Sequence, residues 1–228
     1  MTARLSIIMP VLGEADRINA ALARAAEAAG NVPHEIIVVD GDPAGATRAA
    51  VTAPAVKKIT ARPGRGPQMN AGAAVSGGDI LLFLHADTCL PEGAAEWILA
   101  VCGQEQIAGG AFALGIDSPR PVFRWIERAV ALRCRLTRIP YGDQAIFLKA
   151  DVFRSLGGFG ELPIMEDIDL MRRLKRQGHR VRLNGPSVRT AARRWESEGV
   201  AYATLRNLCL STLFYLGVSP ERLRRYYR

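Results

Sequence analysis

The stretch Leu81-Leu82-Phe83-Leu84-His85-Ala86-Asp87-Thr88 decides how this chain folds. Consecutive large apolar residues fit a strand covered on both faces, and the strand is expected from Asp79 to Leu84. The abrupt change to His85 and Asp87 marks its carboxyl end. Two comparable runs come earlier. Leu5-Ser6-Ile7-Ile8-Met9 is apolar and is expected to stop at Pro10, and Glu35-Ile36-Ile37-Val38-Val39-Asp40 ends on a carboxylate. Between them, Glu14 to Ala29 is Ala-rich, with Ile18, Leu22, Ala25 and Ala29 on one face and Gly30 as the stop, so it reads as a helix. Val56 to Thr60 reads as a third strand and Pro67 to Val75 as a short helix. Strands separated by helices need crossover connections, so the class is α/β with a largely parallel sheet. Ligands in such sheets bind beyond the carboxyl ends of the strands. The polar residues after those ends are Glu14, Asp40, Asp42, His85 and Asp87.

The second half is less regular. A Gly-containing strand is expected over Ala108 to Ile116. Pro119 to Leu136 reads as a helix with Phe123, Ile126, Val130 and Leu132 on its apolar side. Short strands follow at Ala145 to Leu148 and Arg180 to Leu183. Helices are expected over Asp151 to Leu156, Glu166 to Gln177 and Val200 to Leu216. The reading is one domain over 1–200, with a helix and basic tail over 201–228.

Charge is distributed unevenly. The chain has 30 Lys+Arg against 22 Asp+Glu, for a net of +8. Met1 to Met171 holds 16 basic and 19 acidic residues, and Arg172 to Arg228 holds 14 and 3. Such asymmetry points to an anionic partner: nucleic acid, a membrane surface or a phosphorylated substrate. The apolar content of 49% excludes a disordered chain. No run reaches the roughly 18 apolar residues of a membrane span, and no secretory signal opens the chain, so a cytoplasmic protein is expected. Cys89, Cys102, Cys134 and Cys209 are scattered, which argues against a disulfide framework or a zinc site.

Several residues could carry chemistry. Asp87 just past a buried strand could hold a hard divalent cation or cap the following turn. Glu166-Asp167-Ile168-Asp169 opens a helix. Those carboxylates complement the helix dipole, and one near a substrate is also a natural general base. Arg193-Arg194-Trp195 could clamp a diphosphate and stack on a ring, or form a solvated turn with Trp195 in the core. Gly64 to Gly72 is a Gly-rich loop before a helix that does not match the Walker pattern, which needs Gly-Lys-Ser/Thr.

The ordered set is more specific than its members, and it resembles the family 2 glycosyltransferases with their nucleotide-sugar-binding GT-A fold. The matching pieces are Ser6 to Glu14, Glu35 to Gly41, Arg65-Gly66 through Asn70-Ala71-Gly72, His85-Ala86-Asp87 as a modified Asp-x-Asp, Glu166-Asp167, and Arg193-Arg194-Trp195. They span roughly residues 4 to 200. The closest likeness is to a bacterial subgroup labelled transferase 2, radical-SAM/selenodomain-associated.

The resemblance implies roles. Pro10 and Glu14 would line the nucleotide pocket, and Asp40 would bond the base with Arg65 nearby. Asp87 would ligate Mg2+ or Mn2+ on the diphosphate, with His85 turned toward the ribose. Asp143 and Gln144 would lie on the acceptor side. Asp167 would be the catalytic base and Glu166 its neighbour, with Arg193, Arg194 and Trp195 as the clamp. The implied activity is metal-dependent, inverting transfer of a sugar from a nucleotide-diphosphate donor to an acceptor hydroxyl. The alternatives are a non-catalytic nucleotide-sugar-binding protein, supported by His85 in place of an Asp, and a nucleotidyltransferase. The charge is then explained by nucleotide-sugar phosphate rather than nucleic acid. Residues 208–228 remain available for an anionic membrane at its inner face, which would suit a lipid-linked acceptor.

Overall fold

The computed structural model describes residues 3–183 and 185–227; Met1, Thr2 and the final Arg228 of the basic tail lie outside them. The N-terminal apolar run forms β1 (Leu5–Val11), which pairs in parallel with β2 (His34–Asp40) on one side and β4 (Ile80–Phe83) on the other. Beyond β2 lies β3 (Lys57–Thr60), also parallel. The remaining strands are β5 (Thr88–Cys89), β6 (Ile107–Gly110), β7 (Ala113–Asp117), β8 (Phe147–Lys149), β9 (Arg180–Arg182) and β10 (Ser187–Ala191). The main sheet has the order β3-β2-β1-β4-β8-β6-β9, with β8 antiparallel to both neighbours. A second, three-stranded sheet has the order β5-β10-β7.

The helices are α1 (Ile18–Ala29), α2 (Ala46–Ala50), α3 (Arg65–Ala74), α4 (Ala94–Cys102), α5 (Pro121–Thr137), α6 (Ala150–Ser155), α7 (Glu166–Arg176), α8 (Arg193–Glu198), α9 (Val200–Tyr215) and α10 (Pro220–Arg224). Strand periodicity splits the continuous apolar runs between two cores. Leu5, Ile7, Met9 and Val11 meet α1 and α4 on one face of the sheet. Ile8, Ile37, Val39, Leu81 and Phe83 meet α3, α6, α7 and α9 on the other.

Four sequence expectations are corrected. β1 does not stop at Pro10 but continues to Val11. Its pairing with β4 ends at Ile8 while its pairing with β2 continues, so the missing Pro10 N–H breaks no ladder bond. Helix α1 begins at Ile18 rather than Glu14, because Glu14 to Arg17 form a turn closed by Arg17 N–H to Glu14 C=O at 3.0 Å. The expected Ala108–Ile116 strand is two strands, β6 and β7, which belong to different sheets. Leu132 does not join the core; it is 57% exposed, and only Phe123 and Cys134 of α5 are buried.

Candidate active site

The site is built by devices that hold distant segments together. Helix α3 is pinned to the strand ends by buried Gln68, whose amide donates to Val11 and Val39 carbonyls, both at 2.8 Å. Asn70 exchanges two hydrogen bonds with the Phe159 backbone, at 2.9 and 2.8 Å. A Cβ on Gly66 would stand 2.9 Å from the Gly160 carbonyl, so the start of α3 closes directly on the loop before α7. Arg65 is thereby brought close enough to Glu166 and Asp167 to feel their charges.

The small sheet joins another pair of segments. Thr190 of β10 lies opposite Thr88 of β5, and the Ala191 N–H donates to the Asp87 carbonyl at 3.1 Å. That register delivers Arg193 and Arg194, two and three residues further on, and brings the Arg194 charge close to His85.

The turn Gly142–Gln144 closes the site from the β8 side. Buried Gln144 spends its amide on the protein: it donates to the Phe112 carbonyl at 3.0 Å and accepts from Tyr141 N–H and Arg133 at 3.1 and 3.2 Å. It therefore shapes the turn. Asp167 accepts from the Gly142 N–H at 2.6 Å and from its own helix at Ile168 N–H, at 2.7 Å. A Cβ on Gly142 would stand 3.4 Å from both the Asp167 carboxylate and the His85 ring, so the three meet at one point. Non-glycine residues with left-handed backbone border these loops: Arg138 at φ 61°, Ala145 at 46° and Met165 at 66°. Such strain persists where packing over-determines the chain, as it does at many functional sites.

Electrostatics follow from this crowding. Burial, then the positive charges of Arg65 and Arg194, pushes His85 down to about 3, so its imidazole is neutral across the physiological range. Burial raises Asp143 to about 6, and nearby Asp167 and Asp87 add to the rise against the pull of Arg133 and Arg65. Glu166 is also raised, by burial and then by the adjacent Asp167. It is 5% exposed, whereas Asp167 is only partly buried.

The structure thus brings together Arg65, His85, Asp87, Asp143, Glu166, Asp167 and Arg194. The other candidates lie differently. Pro10 is the next-to-last residue of β1, opposite Val39 of β2, and Glu14 in the following turn forms a long ion pair with Arg193, at 3.9 Å. Asp40 is fully buried, and its oxygens accept the Asp42 and Arg48 N–H groups at 2.9 and 2.8 Å. It orders the loop bordering the pocket. Trp195 packs edge-on against Phe123, with ring centroids 6.1 Å apart. Sequence reasoning assigned no roles to Gln68 and Asn70, whose signal was the polar spacing within the Gly-rich segment. It also passed over Arg133, which stacks on the Tyr141 ring at 3.2 Å.

Among the described residues, no three Asp, Glu, His or Cys side chains converge closely enough to hold a metal ion by themselves. The donor set still fits a hard divalent cation that shares its shell with substrate oxygens. The Asp87 side chain is exposed, its carboxylate accepts only a 3.4 Å bond from Thr88 among the described residues, and Asp143 is close enough to feel its charge.

The sequence model for glycosyl transferase family 2 matches residues 6–140, more than half the chain. The chain belongs to glycosyl transferase family 2. No curated protein matches it significantly. Among solved structures, this family 2 chain is similar to the mannosyltransferase PcManGT from Pyrobaculum calidifontis, in complex with GDP-Man and Mn2+. The identity is 19% and the TM-score 0.69, over 97% of this chain and 67% of that one. It is also similar to glucosyl-3-phosphoglycerate synthase from Mycobacterium tuberculosis with Mn2+, UDP and phosphoglyceric acid, at 19% identity and TM-score 0.64, over 95% and 79% of the two chains. A third is S. aureus TarS with UDP-GlcNAc, at 14% identity and TM-score 0.64, over 82% and 58%. At such identities the likeness establishes the fold: the family 2 chain has the GT-A architecture.

Proposed function

We propose that this protein is an inverting glycosyltransferase that moves a sugar from a nucleotide diphosphate to an acceptor hydroxyl. One observation carries the reading. The Asp167 carboxylate is braced by the Gly142 N–H, beside His85 and near the Arg65 cation, while Arg194 acts on His85 from the same site. In the reaction, Asp167 takes the proton of the acceptor hydroxyl. The freed oxygen pair forms a bond to the anomeric carbon from one face. The bond to the diphosphate oxygen breaks on the opposite face, its electron pair leaves with the nucleotide, and the configuration inverts. Arg65 and Arg194 stabilise the charge that develops on the diphosphate. Glu166, too buried to reach a hydroxyl, holds Arg65 in place. Asp87, with Asp143 near it, would hold Mg2+ or Mn2+, which supplies further neutralisation of the leaving diphosphate.

The neighbours' ligands, GDP-Man, UDP and UDP-GlcNAc, support a nucleotide-sugar donor. The finer readings are proposals of the same kind: the radical-SAM/selenodomain-associated subgroup, the division at residue 200, and a cytoplasmic place at the inner membrane face. Surface chemistry supports the last. No described helix is long and apolar enough to cross a membrane. Yet α9 turns Tyr202, Leu205, Leu208 and Leu213 outward, Leu216 just past its end is also exposed, and α5 does the same with Trp125 and Leu136. Such uncovered faces beside Arg128, Arg135 and the α10 arginines fit an anionic lipid surface bearing a lipid-linked acceptor.

Asp167→Asn keeps the Gly142 contact geometry but cannot take a proton. Its transfer rate should fall by about 100-fold or more while nucleotide binding stays unchanged by calorimetry. Transfer at the normal rate in that variant would remove Asp167 from the mechanism.

A further inference from the structure

Residues 217–227 bring the chain back to the candidate site. After α9, Gly217 takes a left-handed conformation (φ 92°) and reverses the chain into α10. Leu223, 1% exposed, anchors α10 on the apolar cluster beneath α7. Tyr226 points to solvent, and Tyr227 turns inward. The Arg194 guanidinium donates to the Tyr227 hydroxyl, and Arg65 lies against the same hydroxyl. The Tyr227 ring is also flanked by two guanidiniums, Arg194 at 5.0 Å and Arg206 at 5.4 Å. The phenol therefore holds the two cations that converge on His85, the same pair the transferase reading assigns to the donor diphosphate.

The chemistry of this contact is lopsided. A neutral phenol offers two guanidiniums one weak acceptor and one ring face. A diphosphate offers several charged oxygens and charge-assisted, forked hydrogen bonds. Arg206 has Nε and one Nη buried with no hydrogen-bond partner among the described residues, so the contact leaves donors unused. The anchor and the contact are separate. Leu223 keeps α10 docked if Tyr227 swings away, and only residues 225–227 need to move.

We propose that the C-terminal turn is an autoinhibitory strap, in which Tyr227 occupies the Arg65–Arg194 pair in the resting enzyme and is displaced by the donor diphosphate. This rests on the transferase reading, since it names the competitor by its diphosphate. A ligand that must displace a bound group binds more weakly by the fraction of time the site is open. Removing the strap should therefore tighten nucleotide binding.

The test uses the full chain, Tyr227→Ala, Tyr227→Phe and a variant ending at Arg225, each with UDP and with GDP in the presence of Mn2+. Calorimetry gives affinity, and hydrogen–deuterium exchange over 218–227 reports strap release. The expected result is three- to tenfold tighter binding in Tyr227→Ala and in the shortened chain, and a smaller gain in Tyr227→Phe. Nucleotide should also raise exchange over 218–227 in the unaltered protein. Nucleotide binding with equal or weaker affinity in Tyr227→Ala, with no rise in tail exchange, would overturn the strap and leave the transferase reading standing. Failure of both nucleotides to bind any of the four proteins would overturn that reading and the strap with it.

Discussion

Asp143 is held in the native state at a cost. An ordinary aspartate titrates near 3.8, and burial with Asp167 and Asp87 close by moves this one to about 6. The sign follows from linkage. Because the folded value is raised, the unfolded chain releases the proton first, and ionisation destabilises the native state as pH climbs from about 4 to about 6. Above that window the penalty is complete, up to about 3 kcal/mol for a shift of about two units. Asp143→Asn removes it. The variant should be more stable than the parent at pH 7.5, with Tm raised by about 5–10 °C, and most of that gain should be gone at pH 4. Thermal melts at both values check this; a gain that persists unchanged at pH 4 would assign the effect to packing instead. A carboxylate kept at such expense fits a functional placement rather than a structural one. None of this is legible from the Gly142-Asp143-Gln144 tripeptide. The cost arises from Asp87 and Asp167, 56 residues before and 24 after it.

At the scale of elements, α3 sets the position of the site's cations. It approaches the sheet so closely that a Cβ on Gly72 would fall 2.5 Å from Ile8 and 3.0 Å from Val39 side-chain carbons. Both belong to fully buried strand positions that cannot yield without repacking. Gly72→Ala should therefore lower stability by about 1–3 kcal/mol, despite the better helix propensity of alanine, and shift Arg65 outward. Chemical denaturation measures the first, and weakened nucleotide affinity the second. The run Asn70-Ala71-Gly72 was readable as part of a motif. Its purpose was not, because a small residue in a helix has no visible partner until the sheet is placed beneath it. The same holds for β5 and β10, short strands whose mutual pairing positions Arg193 and Arg194. A two-residue strand such as β5 has no periodicity to detect, and β10 alternates over only five residues.

The whole molecule presents one face that water does not suit. Over residues 200–216 the only charge is Arg206, and it is turned inward, its side chain 8% exposed and paired with Glu198 at 2.6 Å. The outward face is left uncharged, with Leu205 64% and Leu216 76% exposed. The end of α9 lies near the site: Tyr215, 37% exposed, is raised toward about 12 by partial burial, with Tyr141 and Asp167 near enough to contribute. Bound through this face, the protein would open its cleft toward lipid headgroups. It should co-sediment with phosphatidylcholine vesicles containing phosphatidylglycerol, and at least tenfold less when Leu205→Ser and Leu208→Ser are combined, since each leucine contributes about 1.5–3 kcal/mol on full burial. Equal recovery of parent and variant on the vesicles would rule the face out, and concentration-dependent dimers in light scattering would assign it to a second copy. By itself the sequence determined the parallel α/β class, the two-sided burial of the central strands, and the ordered motifs that mark the family. Those depend on local periodicity and residue type, which the chain carries from end to end. Only the tertiary structure decided that β1 runs through Pro10, that Ala108 to Ile116 divides between two sheets, that α9 leaves Leu205, Leu208 and Leu213 uncovered, and that Tyr227 returns to Arg65 and Arg194. Each of those is a contact between segments far apart in the chain, and it exists only once packing has chosen which faces meet.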